Sequence, residues 1–158
     1  MTAKNQPQPS KNQDAIWKNL GVCMGIFAGS NLHKNKTLSE LTNKILPPLL
    51  LGQIAVGHKK EIQPDLGFFA NLNMPCALIL WARISDELDK KFIHSTYIPT
   101  LKPEDWNSGD NYWIIDTAGP KNEIIKLMKE LQKQRFKSQS FKSFAVDKNN
   151  KISIHKLD

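Results

Sequence analysis

The stretch Cys76 to Ile84 is apolar at every position except Arg83. A strand this apolar has both faces covered, so it belongs in the middle of a sheet with other elements packed above and below it. It is also far shorter than the ~18 residues that cross a bilayer. Leu20 to Ala28 and Ile45 to Leu51 are the other long apolar candidates, and glycine or proline interrupts both. The N-terminus is polar, rich in Asn, Gln, Pro and Lys, and lacks the basic-then-apolar order of a signal peptide. The expectation is a soluble cytoplasmic protein with no transmembrane segment. A length of 158 residues, 40% apolar and 23% charged, suits one domain with one core. We expect a flexible tail over 1–12 and a single domain over 13–158.

Elements can be placed around the central strand. Ile16, Trp17, Leu20, Met24 and Phe27 recur at three- and four-residue spacing and predict a helix from about Asp14 to Phe27. Gly21, Gly25 and Gly29 lie along one side of it, which points to close approach of another backbone or of a ligand, close packing being the favoured of the two. Ser30 to Asn35 reads as a polar loop. Thr37-Leu38-Ser39-Glu40 has the capping-box pattern of a second helix, which Pro47 and Pro48 should break or kink near Leu46. Gln53 to His58 reads as a strand, Lys59 to Asn73 as a long excursion, and Ser85 as the cap of a short helix. Tyr97 to Leu101 reads as extended and Trp106 to Asp110 as a turn. In the strand Tyr112 to Asp116, alternation puts Trp113 and Ile115 on one side and Tyr112, Ile114 and Asp116 on the other. Pro120 opens a helix with an apolar stripe of Ile124, Leu127, Met128 and Leu131. Phe141 to Val146 and Lys151 to His155 form a last strand pair. The order of elements gives an α+β (α/β layered) fold with a mixed sheet flanked by helices.

The chemistry-bearing residues are few. Cys23 and Cys76 stand apart in apolar segments and read as buried free thiols. His33, His58, His94 and His155 show no metal-ligand spacing, so no metal is expected. The net charge of +7 is concentrated after residue 116, where ten Lys or Arg face four acids. Such a surface suits nucleic acid, a membrane or an acidic protein, or is simply solvated. His33 is a loop histidine, and Asp116 is a carboxylate at the end of an apolar strand, where burial would oblige it to find a partner. Imidazole is one such partner.

Several segments, in order, resemble one family, the lysine acyltransferases that activate RTX protoxins. Ser30-Asn31-Leu32-His33-Lys34-Asn35 resembles the family's Ser-x-Leu-His-Arg/Lys-Asn segment. Ile45-Leu46-Pro47 resembles its Val/Ile-Leu-Pro, and Trp81-Ala82-x-Ile84-Ser85 its Trp-Ala-x-Leu-Ser. Glu104-Asp105-Trp106-x-Ser108-Gly109-Asp110, followed by Trp113-Ile114-Ile115-Asp116, resembles its most distinctive stretch, and Phe144-Ala145-Val146-Asp147 its late strand. The chain departs from the pattern in the length of the 59–73 excursion, in Thr117-Ala118-Gly119-Pro120 after Asp116, and in stopping at Asp158. The resemblance implies a GNAT-like fold, an acyl–acyl carrier protein co-substrate with no tightly bound cofactor, and an internal protoxin lysine as acceptor. It implies catalytic roles for His33 and Asp116 with Ser30 in support; dimers occur in the family, which makes a homodimer an open arrangement here.

A lysine amine with a pKa near ~10.4 must lose a proton before it attacks a thioester. His33 is the candidate base, with Asp116 holding its tautomer; attack by His33 itself to give an acyl-imidazole is the alternative. Ser30 either donates a hydrogen bond to the site or caps a helix. An apolar groove lined by the first helix or by Cys76 to Ile84 would hold the acyl chain, and the basic residues after Pro120 would dock the acidic carrier. Rival readings are a coenzyme A-dependent GNAT-type acetyltransferase, which should show a pyrophosphate loop absent here, a non-catalytic nucleic-acid-binding module, which lacks a known motif, and a degenerate relative that binds a toxin without modifying it.

Overall fold

The structure is a computed structural model that describes residues 11–62, 71–136, 139–146, 149 and 151–157. Residues 1–10 of the expected tail, 63–70 of the expected excursion and most of the turn at 147–150 lie outside the described residues. Two helices come first, α1 (Lys11–Ala28) and α2 (Leu38–Leu50). Strands β1 (Ile54–Ile62) and β2 (Asn71–Ile84) follow, then α3 (Asp86–Ile93) and a single 3-10 turn at Pro103–Trp106. The chain continues through β3 (Asn111–Ala118), α4 (Lys121–Gln134), β4 (Phe141–Val146) and β5 (Ile152–Leu157).

The strands form one sheet in the order β1-β2-β3-β4-β5, antiparallel throughout except for the parallel β3/β4 pair. Helix α4 bridges that parallel pair, as a crossover must. This is the mixed, helix-flanked α+β sheet of a GNAT-like fold. β2 is central and its residues from Ala77 to Ala82 are buried on both faces. Leu78, Leu80, Ala82 and Ile84 point into a core shared with Cys23 and Phe27 of α1, Ile45 of α2 and Phe92 of α3. Ala77, Ile79 and Trp81 point the other way, into a second core with Leu127 and Leu131 of α4. The sheet therefore separates an α1/α2/α3 layer from an α4 layer.

Four local expectations are corrected. The glycine stripe of α1 meets no neighbour: a Cβ at Gly21 or Gly25 would find nothing within 4 Å, because both face outward. Helix α2 runs through Pro47 and Pro48 to Leu50; each proline removes one amide donor, but the Leu51 N–H still reaches the Pro47 carbonyl at 3.2 Å, and Pro48 is buried in the core. The ends of the expected excursion are a ladder, with Lys59 opposite Met74 and Ile62 opposite Asn71. Tyr97 to Leu101 contains no strand.

Two anchors hold β3 in register. The Trp113 indole N–H donates to Asp89 Oδ1 at 2.7 Å, and Lys142 Nζ reaches both Asp89 oxygens at 2.6 Å, so α3, β3 and β4 share one buried polar knot. At the other end Gly119 has φ +115°, and a Cβ there would stand 2.2 Å from the Cys76 carbonyl oxygen. Only glycine lets the chain leave β3 this close to β2. Gly119→Ala should therefore destabilise the protein by ~2–4 kcal/mol. Gly21→Ala, which only removes backbone freedom from an exposed helical site, should stabilise it by ~0.5–1 kcal/mol. Urea unfolding of the two variants should move the midpoint in opposite directions; a shift of the same sign in both would contradict this account.

Candidate active site

His33 sits in the loop between α1 and α2, and that loop is fixed at both ends. The Ser30 amide closes on the Phe27 carbonyl at 3.0 Å, and the amides of His33 and Lys34 both bond to the Ser30 carbonyl, at 3.0 and 2.9 Å. On the far side Thr37 and Glu40 complete the expected capping box: Glu40 N–H donates to Thr37 Oγ1 at 3.2 Å and Thr37 N–H donates to Glu40 Oε2 at 2.7 Å. The His33 ring is 5% exposed and lies against Phe27, with ring centroids 4.3 Å apart.

Asp116 reaches this ring because β3 contains a bulge. Leu80 pairs with Asp116 and Trp81 with Ile114, so Ile115 is an extra residue with no partner of its own on β2. Cross-strand partners share a face. Asp116 therefore lies on the face of Leu80 and Ala82, with Trp113, and not with Tyr112 and Ile114 as simple alternation has it. The extra residue carries the carboxylate from the α4 side of the sheet to the α1/α2 side.

The resulting contacts select the tautomer of a neutral ring. His33 Nε2 is 3.1 Å from Asp116 Oδ1 and 3.0 Å from Oδ2, and Ser30 Oγ is 2.9 Å from His33 Nδ1. A carboxylate only accepts, so Nε2 carries the proton of a neutral ring and donates it to Asp116. Nδ1 is then the lone-pair nitrogen, and it accepts the Ser30 hydroxyl proton. Ser30 caps no helix; Thr37 caps α2. Asp116 Oδ1 also accepts the Thr117 N–H at 2.8 Å, and Lys44 of α2 places its Nζ on Asp116 Oδ2. Burial pushes the Asp116 carboxyl up, but the His33 hydrogen bond and the charge and hydrogen bond of Lys44 outweigh it, leaving Asp116 below the usual carboxylate range.

The sequence singled out Ser30, His33 and Asp116, and the structure brings the three together. It did not single out Lys44, whose place on the polar side of α2 carries no mark of its partner. The Glu104–Asp110 stretch turns out to be framework. Ser108 Oγ accepts the Ser85 N–H at 3.0 Å and donates to the Asp105 carbonyl at 3.0 Å, and a Cβ on Gly109 would lie 2.5 Å from the Ile84 carbonyl oxygen. Asp110 pairs with Arg83, and Trp106 is buried. This segment splices the end of β2 to the start of β3.

The chain matches the model of the RTX toxin acyltransferase family over residues 12–157. It belongs to that family. The protein-lysine myristoyltransferase RtxC of Kingella kingae is 31% identical over 85% of this chain and 73% of its own length. The leukotoxin-activating lysine-acyltransferase LtxC of Aggregatibacter actinomycetemcomitans is 30% identical over 83% of this chain and 69% of its own. The protein-lysine myristoyltransferase HlyC of Escherichia coli is 28% identical over 81% and 66%. Membership makes this chain an acyltransferase.

For an acyltransferase of this family, the remaining expectations fall as follows. Leu78 to Ala82 are buried in the core, so this part of β2 does not line an open groove; Leu32, next to His33 in the chain, and Leu38, at the start of α2, are exposed. The lysines of α4 stand on the opposite side of the sheet from His33, while Lys34, Lys36 and Lys44 share its side. Cys23 is buried and its thiol is pushed up to about 11 by desolvation, and Cys76 is half-buried with its thiol donating to the Gly57 carbonyl at 3.6 Å. His58, His94 and His155 are exposed, on β1, at the end of α3 and on β5. Among the described residues no group of three His, Cys, Asp or Glu is arranged to hold a metal, and no helix is long and apolar enough to cross a membrane.

The depressed Asp116 carboxyl has a consequence for folding. Its stabilising contribution is fully present above the unfolded carboxylate range, near ~3.9, and disappears as pH falls through its lower folded value. The acid side of the stability curve, followed by urea unfolding between about pH 5 and pH 2, should therefore be steeper in the native protein than in Asp116→Asn. Identical slopes would mean that the three donors do not favour the ionised carboxylate.

Proposed function

We propose that the domain over 13–158 transfers a fatty acyl chain, in the cytoplasm, from acyl–acyl carrier protein to an internal lysine of an RTX protoxin and so activates the toxin. Family membership and the printed activities of the relatives support the reaction class. The observation that carries the reading is a buried imidazole held between Asp116 at Nε2 and Ser30 at Nδ1. It is an arrangement suited to taking a proton on one defined nitrogen.

The acceptor lysine arrives largely as an ammonium and releases one proton to solvent to become the neutral amine. Its nitrogen then attacks the thioester carbonyl carbon, the C–N bond forms and the C–S bond breaks. His33 Nδ1 takes the amine proton and returns it to the departing carrier thiolate, so the ring ends as it began. Asp116 stabilises the imidazolium while it exists and forbids the other tautomer. Leu32, 83% exposed next to His33, and Leu38 offer the acyl chain an apolar landing on the same side. The carrier docks on the α1–α2 side, where Lys34 is exposed.

Ser30 supports a second route. Its hydroxyl hydrogen-bonds to the basic nitrogen, so the same base could activate it to form an acyl-serine before the lysine arrives. We take direct transfer as the reading, because lysine attack on the thioester needs no additional intermediate.

Intact-mass analysis of a purified protoxin incubated with acyl carrier protein thioester decides the matter. His33→Ala should abolish the acyl mass increment, and Asp116→Asn should lower the initial rate by roughly 10²–10⁴-fold with the fold retained. Ser30→Ala should slow transfer by less than about tenfold, the cost of a neutral hydrogen bond. A His33→Ala protein as active as the native one would end the proposal, and complete loss in Ser30→Ala would move the chemistry to the acyl-serine route.

A further inference from the structure

Among the described residues, Lys44 is the charged side chain at the centre that the mechanism leaves without a task. It lies on α2 next to the wholly buried Ile45, and its Nζ meets Asp116 Oδ2, the same oxygen that His33 Nε2 approaches at 3.0 Å. Two hydrogen bonds to one atom put the two nitrogens no more than ~6 Å apart. Asp116 is only 15% exposed and Lys44 is 41% exposed, so the ammonium reaches inward from solvent and keeps part of its hydration.

The charges around the ring can be enumerated element by element. β3 presents Asp116, and α2 presents Lys44. α1 presents the Phe27 ring and, within the same core, the neutral Cys23 thiol. β2 presents apolar side chains alone on this face. On the loop itself Lys34 is exposed, and Lys36 is tied to Glu40. With Asp116 ionised, Lys44 charged and His33 neutral, the cluster at the ring has no net charge. A carboxylate alone beside an imidazole favours the imidazolium, and an imidazolium has no lone pair with which to take a proton from lysine. A fixed cation on the same carboxylate opposes that tendency.

We infer that Lys44 is a positioning residue that tunes proton uptake at His33 through the carboxylate they share. It acts on Asp116 and touches neither acyl donor nor acceptor. By engaging Oδ2 it leaves Asp116 able to orient Nε2–H while weakening the pull of the carboxylate toward a charged ring. The resting site then keeps Nδ1 free down to a lower pH than the Asp116–His33 pair would on its own. This inference rests on His33 being the base of the proposed reaction, yet its central claim concerns the ring alone and can be measured without substrate.

The test compares the native chain with Lys44→Met, which keeps the length and removes the charge, and with Lys44→Arg, which keeps the charge. The imidazole titration of His33 is followed by NMR of ring-labelled protein, with circular dichroism as the fold control. In Lys44→Met the His33 midpoint should rise by about 0.5–1 pH unit, a size appropriate to a like charge at this distance that is partly screened by solvent. In Lys44→Arg it should return to the native value. In the transfer assay the acid limb of the kcat/KM profile should move with the midpoint, so Lys44→Met loses more rate near pH 6 than near pH 8. An unmoved midpoint in a folded Lys44→Met protein, or a midpoint that Lys44→Arg does not restore, overturns the inference. If the midpoint moves as expected and native protein transfers no acyl group, the inference about the ring stands and the proposed function fails.

Discussion

The position of one extra residue in β3 decides whether Asp116 meets His33. Were Asp116 in step with Ile114, its carboxylate would point into the apolar layer beneath α4, away from His33 and Lys44, and burying it there would be costly. Ile115 shifts the count by one, and the carboxylate emerges on the other face against His33. The bulge interrupts the ladder, and that loss is contained because the strand is fastened on both sides of it. Upstream, Trp113 is locked to Asp89 and Lys142. Downstream, Gly119 leaves β3 in close contact with the Cys76 backbone. Between these fixed points the extra residue has nowhere to slip, and Ile115 packs against the α1/α2 core.

The segments that identify the family in sequence do different work from the residues that carry the chemistry. Glu104 to Asp110 is the most recognisable stretch, yet its polar side chains satisfy backbone groups and pair with framework residues. Its close contacts leave little freedom: Gly109 admits no side chain, and Ser108 bridges two backbone groups on either side of the β2–β3 junction. A segment so constrained sets the register of β3 relative to β2, and therefore where the bulge falls. The groups proposed to carry the chemistry are, by contrast, short and unremarkable: a Ser-x-x-His loop and a lone aspartate.

Much of this architecture was legible in the sequence, because its signals are local. The apolar run of β2, the periodicity of α1 and α4, the Thr37–Glu40 box and the Ser85 cap each follow from interactions within a few residues. What was misread depends on neighbours distant in the chain. Period-two alternation assigns Asp116 to the wrong face because a bulge is a relation between two strands. The glycines of α1 were assigned a close neighbour that the fold does not supply. Pro47 and Pro48 carry a helix-breaking signal of their own, which buried packing of Pro48 and the intact Leu51–Pro47 bond override. The pairing of His33 with Asp116, 83 residues apart, came from family resemblance, since spacing alone cannot join them. Lys44 had neither source of support: it is one of several lysines on polar helix surfaces, and only the geometry distinguishes it.

In the proposed reaction, the contacts also set the side from which chemistry proceeds. Asp116 occupies Nε2, the ring lies on Phe27, and the remaining nitrogen opens toward Ser30 and the exposed edge of the loop. Any proton taken from an incoming amine has to arrive there. The amine, the thioester carbonyl and the start of the acyl chain must then converge on the α1–α2 side of the sheet, where Leu32 and Leu38 are exposed. The dense basic charge of the last third of the chain was the natural candidate for receiving an acidic carrier. Much of it is on α4, with the whole thickness of a doubly covered sheet between it and His33. A carrier bound there could not present its thioester to Nδ1 without reaching around the sheet. Charge abundance and charge position therefore point to different surfaces, and for a group transfer that needs atomic contact, position is the criterion that decides.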